Sequence, residues 1–295
     1  MLRIQHIVKQ YAQHRALDDV SMDIEKGSIF GLLGPNGAGK TSLIRIINQI
    51  TAPDSGEVFF NGEKLNPKHI AKIGYLPEER GLYKKMEIGE QALYLAQLKG
   101  LSKAEATKRI KYWFEKMEMQ GWWNKKVEDL SKGMQQKVQF VATILHEPEL
   151  IILDEPFSGF DPVNAEIITQ EILELNQKGA TIIFSTHRME SVEQLCDSIA
   201  LINKSHKILD GKVSDIKNSY RNNTFHIEFT GQFPAEKVDL FTIVLNQKPQ
   251  EIQIKIAEGK IPNDVLNFLL PQIQIQQLSE VIPSINDIFI QKVSN

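Results

Sequence analysis

The stretch IFGLLGPNGAGKT, residues 29–41, decides the fold of this chain. It opens with a short apolar run typical of a buried strand and continues as G-x-x-x-x-G-K-T, the pattern of a phosphate-binding loop. Its glycines permit a tight turn whose backbone N–H groups converge on a phosphate, and the helix expected next adds its positive end. Lys40 is placed to reach the β- and γ-phosphates, and the Thr41 hydroxyl to bind Mg²⁺. The stretch therefore predicts a nucleoside triphosphate site; a glycine-rich turn with an exposed lysine is the alternative.

A second apolar run, LIILDEP at residues 150–156, ends in two adjacent carboxylates. Both carboxylates can act at the open end of a parallel strand, where α/β sheets bind their ligands. Asp154 is predicted to hold the Mg²⁺ shell, and Glu155 to accept a proton from the attacking water. An Asp-Glu pair after a strand fits a helix cap equally well when taken alone. The phosphate loop makes the catalytic interpretation the preferred one.

Short apolar runs at residues 29–33, 151–153 and 182–184 alternate with longer amphipathic stretches. This alternation is typical of a buried parallel sheet covered by helices. The segment GEVFFNGEKL, residues 56–65, has an Asn61-Gly62 turn between two strand-like runs and predicts an antiparallel hairpin. The expected fold class is α/β, a P-loop NTPase core with an antiparallel β-subdomain.

A helical subdomain is expected at about residues 82–145, where apolar residues recur at the helical period. Ser102 and Glu105 predict a capping box there. The residues predicted to share one face of the following helix are Ala106, Ile110, Trp113, Phe114 and Met117. After residue 220 the chain shows alternating strand patterns and two short helices, which indicate a small C-terminal α+β domain. The domains expected are therefore 1–220 and 221–295.

Composition restricts the classes of function. The chain has 34 basic and 37 acidic residues and a net charge of −3, so no cationic surface points to a nucleic-acid partner. Its single cysteine, Cys196, excludes an internal disulfide and fits a reducing compartment. The sequence contains no signal peptide pattern and no apolar run that would cross a bilayer. We therefore expect a cytoplasmic chain that acts on a membrane only through another protein.

Taken together, the motifs resemble those of the ATP-binding subunit of an ABC transporter, in the same order, over residues 1 to about 215. The resemblance implies ATP as the nucleotide and Mg²⁺ as its cofactor. It implies that Tyr11 stacks on adenine and that His187, in the switch-like FSTH at residues 184–187, contacts the γ-phosphate. FSGFDP, residues 157–162, matches the family's D-loop. The residues implied to surround the phosphates are Gly34, Pro35, Asn36, Gly37, Ala38, Gly39, Lys40, Thr41 and Ser42.

Glu78 departs from the family pattern, because the resemblance places glutamine at this position of GYLPEERGLY, residues 74–83. A carboxylate is a good Mg²⁺ ligand, but it repels the triphosphate unless the metal or Arg80 offsets its charge. We expect Glu78 to touch both nucleotide and metal and to alter the metal or nucleotide dependence of the site.

LSKGMQQK, residues 130–137, begins a helix, with Ser131 as its expected N-cap. A capped helix start also presents N–H groups and a positive dipole end to an anion. The resemblance implies that Ser131 and Gly133 complete the ATP site of a second cassette, so that two chains enclose two ATP molecules. Lys132 and Met134 replace the family's usual glycine and glutamine.

LPEERGLY and the C-terminal PSINDIFI resemble a subset of export ATPases, of sodium-efflux, drug-resistance and gliding-motility types. This implies a separately encoded transmembrane permease as partner, a homodimer or a heterodimer with a similar cassette, and a position on the inner face of the cell membrane. Two alternatives stay open: a soluble ABC ATPase that acts on ribosomes or DNA, and a regulatory module that does not hydrolyse ATP.

Overall fold

The computed structural model describes residues 1–79, 81–234 and 242–294. The chain divides into two compact units, Met1–Val213 and Ser214–Asn295. The division falls slightly before Tyr220, near which the sequence suggested a boundary. Among the described residues, no helix is both long enough and apolar enough to pass through a membrane.

The first unit carries two sheets and a group of helices. Its elements in chain order are β1 (Leu2–Tyr11), β2 (His14–Ile24), β3 (Ile29–Leu33), α1 (Lys40–Ile47), β4 (Ser55–Phe60), β5 (Glu63–Lys64), β6 (Ile73–Leu76), α2 (Ile88–Leu98), α3 (Lys103–Lys116), α4 (Lys132–Ile144), β7 (Leu150–Asp154), α5 (Pro162–Gln177), β8 (Thr181–Ser185), α6 (Met189–Leu195), β9 (Ser198–Asn203) and β10 (His206–Lys212). Short 3-10 turns lie at Pro67–Lys72, Gln120–Trp122 and Val127–Asp129.

A six-stranded sheet in the order β10-β9-β3-β8-β7-β6 forms the centre of this unit. Neighbouring strands run parallel from β9 to β6, and β10 joins β9 antiparallel. Every residue of β3, β7 and β8 is buried, which explains why these strands read as unbroken apolar runs. Because parallel strands end at the same edge, the segments after β3, β6, β7 and β8 meet there.

A second, antiparallel sheet has the order β2-β1-β4-β5. Asn61 and Gly62 have φ values of 51° and 86°, and Phe60 pairs with Glu63 across this tight turn. Positive φ at both central residues is what a two-residue hairpin requires. The hairpin predicted from GEVFFNGEKL is confirmed, and the sheet shares one apolar core with β3 and α1.

The helices α2, α3 and α4 make up the helical region. The predicted α3 face is buried, with Ile110 0% and Trp113 8% exposed. Ser102 Oγ accepts from Glu105 N–H at 3.2 Å, but the Glu105 carboxylate accepts from Arg109 Nε at 2.7 Å. The predicted capping box is therefore half right, because the i,i+4 arginine takes the carboxylate that would close it.

The second unit is the α+β domain expected at the C-terminus. Its elements are α7 (Val213–Ser219), which begins at the division, β11 (Thr224–Thr230), β12 (Thr242–Lys248), β13 (Glu251–Ile256), α8 (Pro262–Leu269), β14 (Gln274–Glu280) and α9 (Ile285–Ser294). The strands form a sheet in the order β12-β13-β11-β14. Ile227, Phe229, Ile252 and Ile254 lie in a core of their own with α8. The predicted strands did not include β12, because most of this edge strand is exposed and lacks a buried apolar face.

Candidate functional site

The carboxyl edge of the parallel sheet encloses a cavity of about 380 Å³. Segments that follow β3, β6, β7 and β8 contribute to it, together with the facing ends of β1 and β2. Its lining residues are Tyr11, His14, Ala16, residues 36–42, Glu78, Asp154, Glu155 and His187. The fold therefore brings candidates from five separate sequence segments into one space.

The phosphate loop takes a shape that only glycine allows at two positions. Gly34 has φ 151°, and a Cβ there would collide with the Ile202 carbonyl oxygen. Gly39 has φ 117° and ends the loop as the N-cap of α1, where a Cβ would collide with the Ala16 carbonyl. Positive φ and close backbone approach together exclude larger residues. The loop thus leaves an open cradle at the start of α1 whose shape fits a phosphate group.

Lys40, the first residue of α1, bends back over the loop. Its Nζ donates to the carbonyl oxygens of Gly34 at 2.6 Å and Pro35 at 3.2 Å. Burial lowers the pKa of Lys40, while the nearby carboxylates Asp154, Glu155 and Glu78 oppose that shift. An anionic ligand would add further stabilisation of the charged amine, so the cavity favours a polyphosphate.

Asp154 closes β7 and is only 3% exposed. Burial raises the pKa of its carboxyl, and the charges of Glu78 and Glu155 raise it further, while Lys40 lowers it. A bound divalent cation would relieve this crowding of negative charge. Asp154, Glu78 and the Thr41 hydroxyl offer the hard oxygen ligands that Mg²⁺ prefers, so the donor set of this cavity fits the metal.

Glu155 has a left-handed backbone, φ 50°, and its N–H donates to Ser185 O at 2.8 Å. Its Oε1 accepts from His187 N–H at 2.9 Å and lies 2.8 Å from His187 Nδ1, and its Oε2 accepts from the Thr186 hydroxyl at 3.2 Å. The Glu155 side chain is 15% exposed and that of His187 72%. Positive φ in a non-glycine residue is strained and recurs at functional sites. The segment after β8 therefore holds the Glu155 carboxylate at the cavity wall.

Ser131 and Gly133 lie at the start of α4, outside the cavity lining defined by the described residues. Ser131 Oγ accepts from Met134 N–H at 3.3 Å, which confirms the predicted N-cap. A Cβ on Gly133 would sit 3.3 Å from the Gly159 carbonyl oxygen, so this turn lies beside the D-loop-like segment. Gly34 and Pro35 also do not line the cavity; their carbonyl oxygens bond Lys40 instead.

Two lining residues were not predicted, His14 and Ala16. His14 begins β2 directly opposite Tyr11, across a two-residue connection in which Ala12 has φ 46°. That short connection between two strand patterns was the signal that could have placed His14 beside Tyr11. Tyr11 is 39% exposed, and Lys9 Nζ lies over its ring, 5.4 Å from the centroid. Arg80, suggested as a countercharge to Glu78, lies outside the described residues.

Comparison with known proteins gives matches over both units. The family model described as ABC transporter matches residues 17–158, and the model described as ATP-binding protein DrrA1-3-like, C-terminal domain, matches residues 211–293. The uncharacterised ABC transporter ATP-binding protein YhaQ of Bacillus subtilis is 41% identical over 295 residues, covering 99% of this chain and 98% of YhaQ.

Two further relatives extend the comparison. The linearmycin resistance ATP-binding protein LnrL of Bacillus subtilis is 36% identical over 73% of this chain and 70% of its own. A solved structure described as the ATP binding subunit of an ABC transporter superimposes with a TM-score of 0.69 at 31% identity, covering 75% of this chain and 93% of that one. The expected fold class, a P-loop core with β- and helical subdomains and a C-terminal domain, is confirmed.

Proposed function

This chain belongs to the family of ABC transporter ATP-binding proteins and is an ATPase, and from that premise we propose that it drives a separately encoded membrane permease. The observation that carries the hydrolytic part of the proposal is the hydrogen-bonded pair of Glu155 and His187 at the wall of the phosphate cavity, and the similarity to YhaQ over 99% of this chain supports the coupling to a permease. A carboxylate fixed beside a polyphosphate cradle is placed to activate water.

The residues of the phosphate loop bind the ATP phosphates through backbone N–H groups, and Lys40 contacts the β- and γ-phosphates. Tyr11 stacks on the adenine. Asp154, Thr41 and Glu78 hold Mg²⁺, which supplies positive charge against the triphosphate. The raised pKa of Asp154 and the lowered pKa of Lys40 support this arrangement. A bound metal would offset the negative charge around Asp154, and an anionic phosphate would stabilise the charged form of Lys40.

Glu155 serves as the general base, since its carboxylate lies in the same cavity as Lys40 and Asp154. His187 keeps the Glu155 carboxylate in place through its N–H and Nδ1. Its side chain is 72% exposed and lines the same cavity, so it would be accessible to the γ-phosphate. The Thr186 hydroxyl completes the set of donors to Glu155. One short segment after β8 thus orients the base.

Two cassettes act together in this proposal. Ser131 and Gly133 present the N–H groups of the first turn of α4, yet they lie away from the cavity of their own chain among the described residues. A second chain that faces this turn with its phosphate loop would bring a γ-phosphate to it. Each chain therefore completes the other's ATP site, as a homodimer or with a similar cassette.

The transport role is export, at the inner face of the membrane through the permease. LnrL is named for linearmycin resistance, and the second unit of this chain matches the DrrA1-3-like C-terminal domain. The match to transporter subunits spans both units, which disfavours a soluble ATPase that acts on ribosomes or DNA.

Glu155→Gln tests the proposal, because the amide oxygen can still accept from His187 and the amide NH₂ group then faces the Thr186 hydroxyl, but the side chain cannot take a proton. Glu155→Gln removes the base and Lys40→Ala removes the positive charge, and each should lower ATP turnover at least about a hundredfold. Glu155→Gln should also accumulate an ATP-dependent dimer in size-exclusion chromatography with light scattering, and Ser131→Ala should weaken it. Near-normal phosphate release by either catalytic variant would refute the roles, and a monomeric Glu155→Gln chain with MgATP would refute the two-cassette site.

A further inference from the structure

Helix α4 carries buried polar side chains on the side that faces β6 and the loops at the sheet edge. Gln136, Gln139 and Thr143 are 2%, 5% and 7% exposed. Their spacing of three and four residues puts them on one face of the helix. An amide buried without hydrogen bonds is costly, so the partners of these side chains explain their presence.

Each side chain reaches a different backbone segment. Gln136 Nε2 donates to Pro156 O at 3.2 Å, next to Glu155. Thr143 Oγ1 donates to Gln139 O at 2.9 Å and lies 3.4 Å from Tyr75 O in β6. Gln139 Nε2 lies 3.4 Å from both Pro77 O and Glu79 O, the carbonyls on either side of Glu78. Gln139 therefore holds the short loop that presents Glu78 to the cavity.

In this arrangement the NH₂ group of the Gln139 amide has hydrogen-bond partners and its oxygen does not, among the described residues. Within the described part of the chain, no hydrogen-bond donor reaches its buried Oε1. An unpaired buried acceptor lowers stability, and an apolar side chain of the same size would avoid that cost. The glutamine is thus poorly explained by packing and well explained by the two carbonyls that its NH₂ group holds.

The position of Gln139 on α4 connects two parts of the proposed site. The first turn of α4 contains Ser131 and Gly133, and Gln139 lies two turns further along the same helix. Gln139 therefore connects the loop around Glu78 to the helix whose first turn carries Ser131 and Gly133.

We infer that Gln139 is a positioning residue that fixes Glu78 at the metal side of the cavity and links it to the helix start that contacts the second cassette. This inference rests on the proposed roles of Glu78 and Ser131. Gln139 touches neither nucleotide nor metal itself; it acts through the backbone on both sides of Glu78.

Gln139→Met tests the inference, because methionine keeps the length and burial of glutamine without its donor. Thr143→Val is the matched control: it removes a buried donor on the same helix face whose partners are Gln139 O within α4 and Tyr75 O in β6, and not the loop. Cleavage after the exposed Glu78 by a glutamate-specific protease should speed up about fivefold in Gln139→Met, the effect of losing about one hydrogen bond on local opening of the loop, and stay unchanged in Thr143→Val. The free Mg²⁺ concentration needed for half-maximal ATP binding should rise by a similar factor only in Gln139→Met.

An unchanged cleavage rate after Glu78 in a folded Gln139→Met chain would overturn the inference, and so would an equal increase in Thr143→Val. Gln139→Leu, also without a donor, replaces Gln139→Met if the latter does not fold. Glu78→Gln, measured alongside, separates the two proposals. If it leaves the Mg²⁺ dependence of ATP binding unchanged, the proposed metal role of Glu78 is wrong, while the cleavage rate of the Gln139→Met chain still decides whether Gln139 holds the loop.

Discussion

At the scale of single residues, the shape of the phosphate loop depends partly on contacts with residues outside the loop. Gly39 was expected for its backbone freedom, and the structure adds a second reason, since the Ala16 carbonyl occupies the space of a Cβ. Ala16 belongs to β2, so a strand of the antiparallel sheet leaves no room for a Cβ at Gly39. Conformation and close approach therefore constrain the same position.

Gly39→Ala should destabilise the first unit by about 2 kcal/mol or more, because strain at positive φ adds to a backbone collision. Urea unfolding followed by tryptophan fluorescence would measure the change. Gly121→Ala is the control, because a Cβ on Gly121 meets nothing within 4 Å. If the two variants unfolded at the same urea concentration, the close approach at Ala16 would carry no energetic weight.

Glu155 and His187 illustrate what residue types can and cannot predict. Both were named from motifs, but their mutual hydrogen bonds join segments 32 residues apart in sequence. The bonds exist because β7 and β8 are neighbours in the sheet, with Asp154 paired to Ser185. The motifs contain the two side chains, and strand order brings them together.

At the scale of elements, the segment just after α4 contains a half-buried histidine, His146, with cationic neighbours. His146 Nε2 lies 3.2 Å from Ile73 O, and Lys99 donates to the same carbonyl at 2.8 Å. Burial lowers the pKa of His146 to about 4, and the charges of Lys99 and Arg109 add to the shift. His146 is therefore neutral in the folded chain at neutral pH.

This predicts a pH-dependent stability of the first unit. The unfolded chain binds a proton at His146 below about pH 6.5, whereas the folded chain does not until about pH 4. The unfolded state then holds more protons in that window, so stability falls as pH drops through it. Between pH 7 and pH 5 the loss should be about 2 kcal/mol.

His146→Gln removes the titration and keeps a donor for Ile73 O. The comparison to make is the change in urea midpoint between pH 7 and pH 5 in the natural chain and in this variant. The variant should lose less stability. Equal losses in both would mean that His146 does not remain neutral in the folded state.

At the scale of the whole molecule, two units have separate apolar cores. The core of the first unit includes β1, β3 and α1, while that of the second is formed by its own strands and α8. The cavity residues all belong to Met1–Val213. Ligand binding should therefore act on one unit directly.

Scanning calorimetry is expected to separate the units. ATP with Mg²⁺, at about a hundred times its dissociation constant, should stabilise the first unit by about 2.7 kcal/mol and raise only its transition. Using Glu155→Gln avoids turnover during the scan, and Lys40→Ala is the control that should show little shift. A shift of equal size in both transitions would contradict the assignment of ATP binding to the first unit alone.

The sequence alone determined the features that depend on near neighbours along the chain. Local patterns of backbone freedom, hydrogen bonding or apolar period account for each of them. They are the phosphate loop, the two carboxylates at the end of β7, the Asn61-Gly62 hairpin, the Ser131 cap and the alternation of β11 and β13. The order of the motifs along the chain was sufficient to indicate the family.

Only the tertiary structure decided the contacts between distant segments. It placed His14 opposite Tyr11, joined Glu155 to His187, set Gly39 against Ala16 and aimed Gln139 at the carbonyls that flank Glu78. The same holds for β12, whose strand conformation comes from pairing with β13 and not from a buried face of its own. Local patterns determine which side chains stand at the ends of strands and helices. Strand order and helix packing determine which of these side chains meet, because such contacts join residues far apart in sequence.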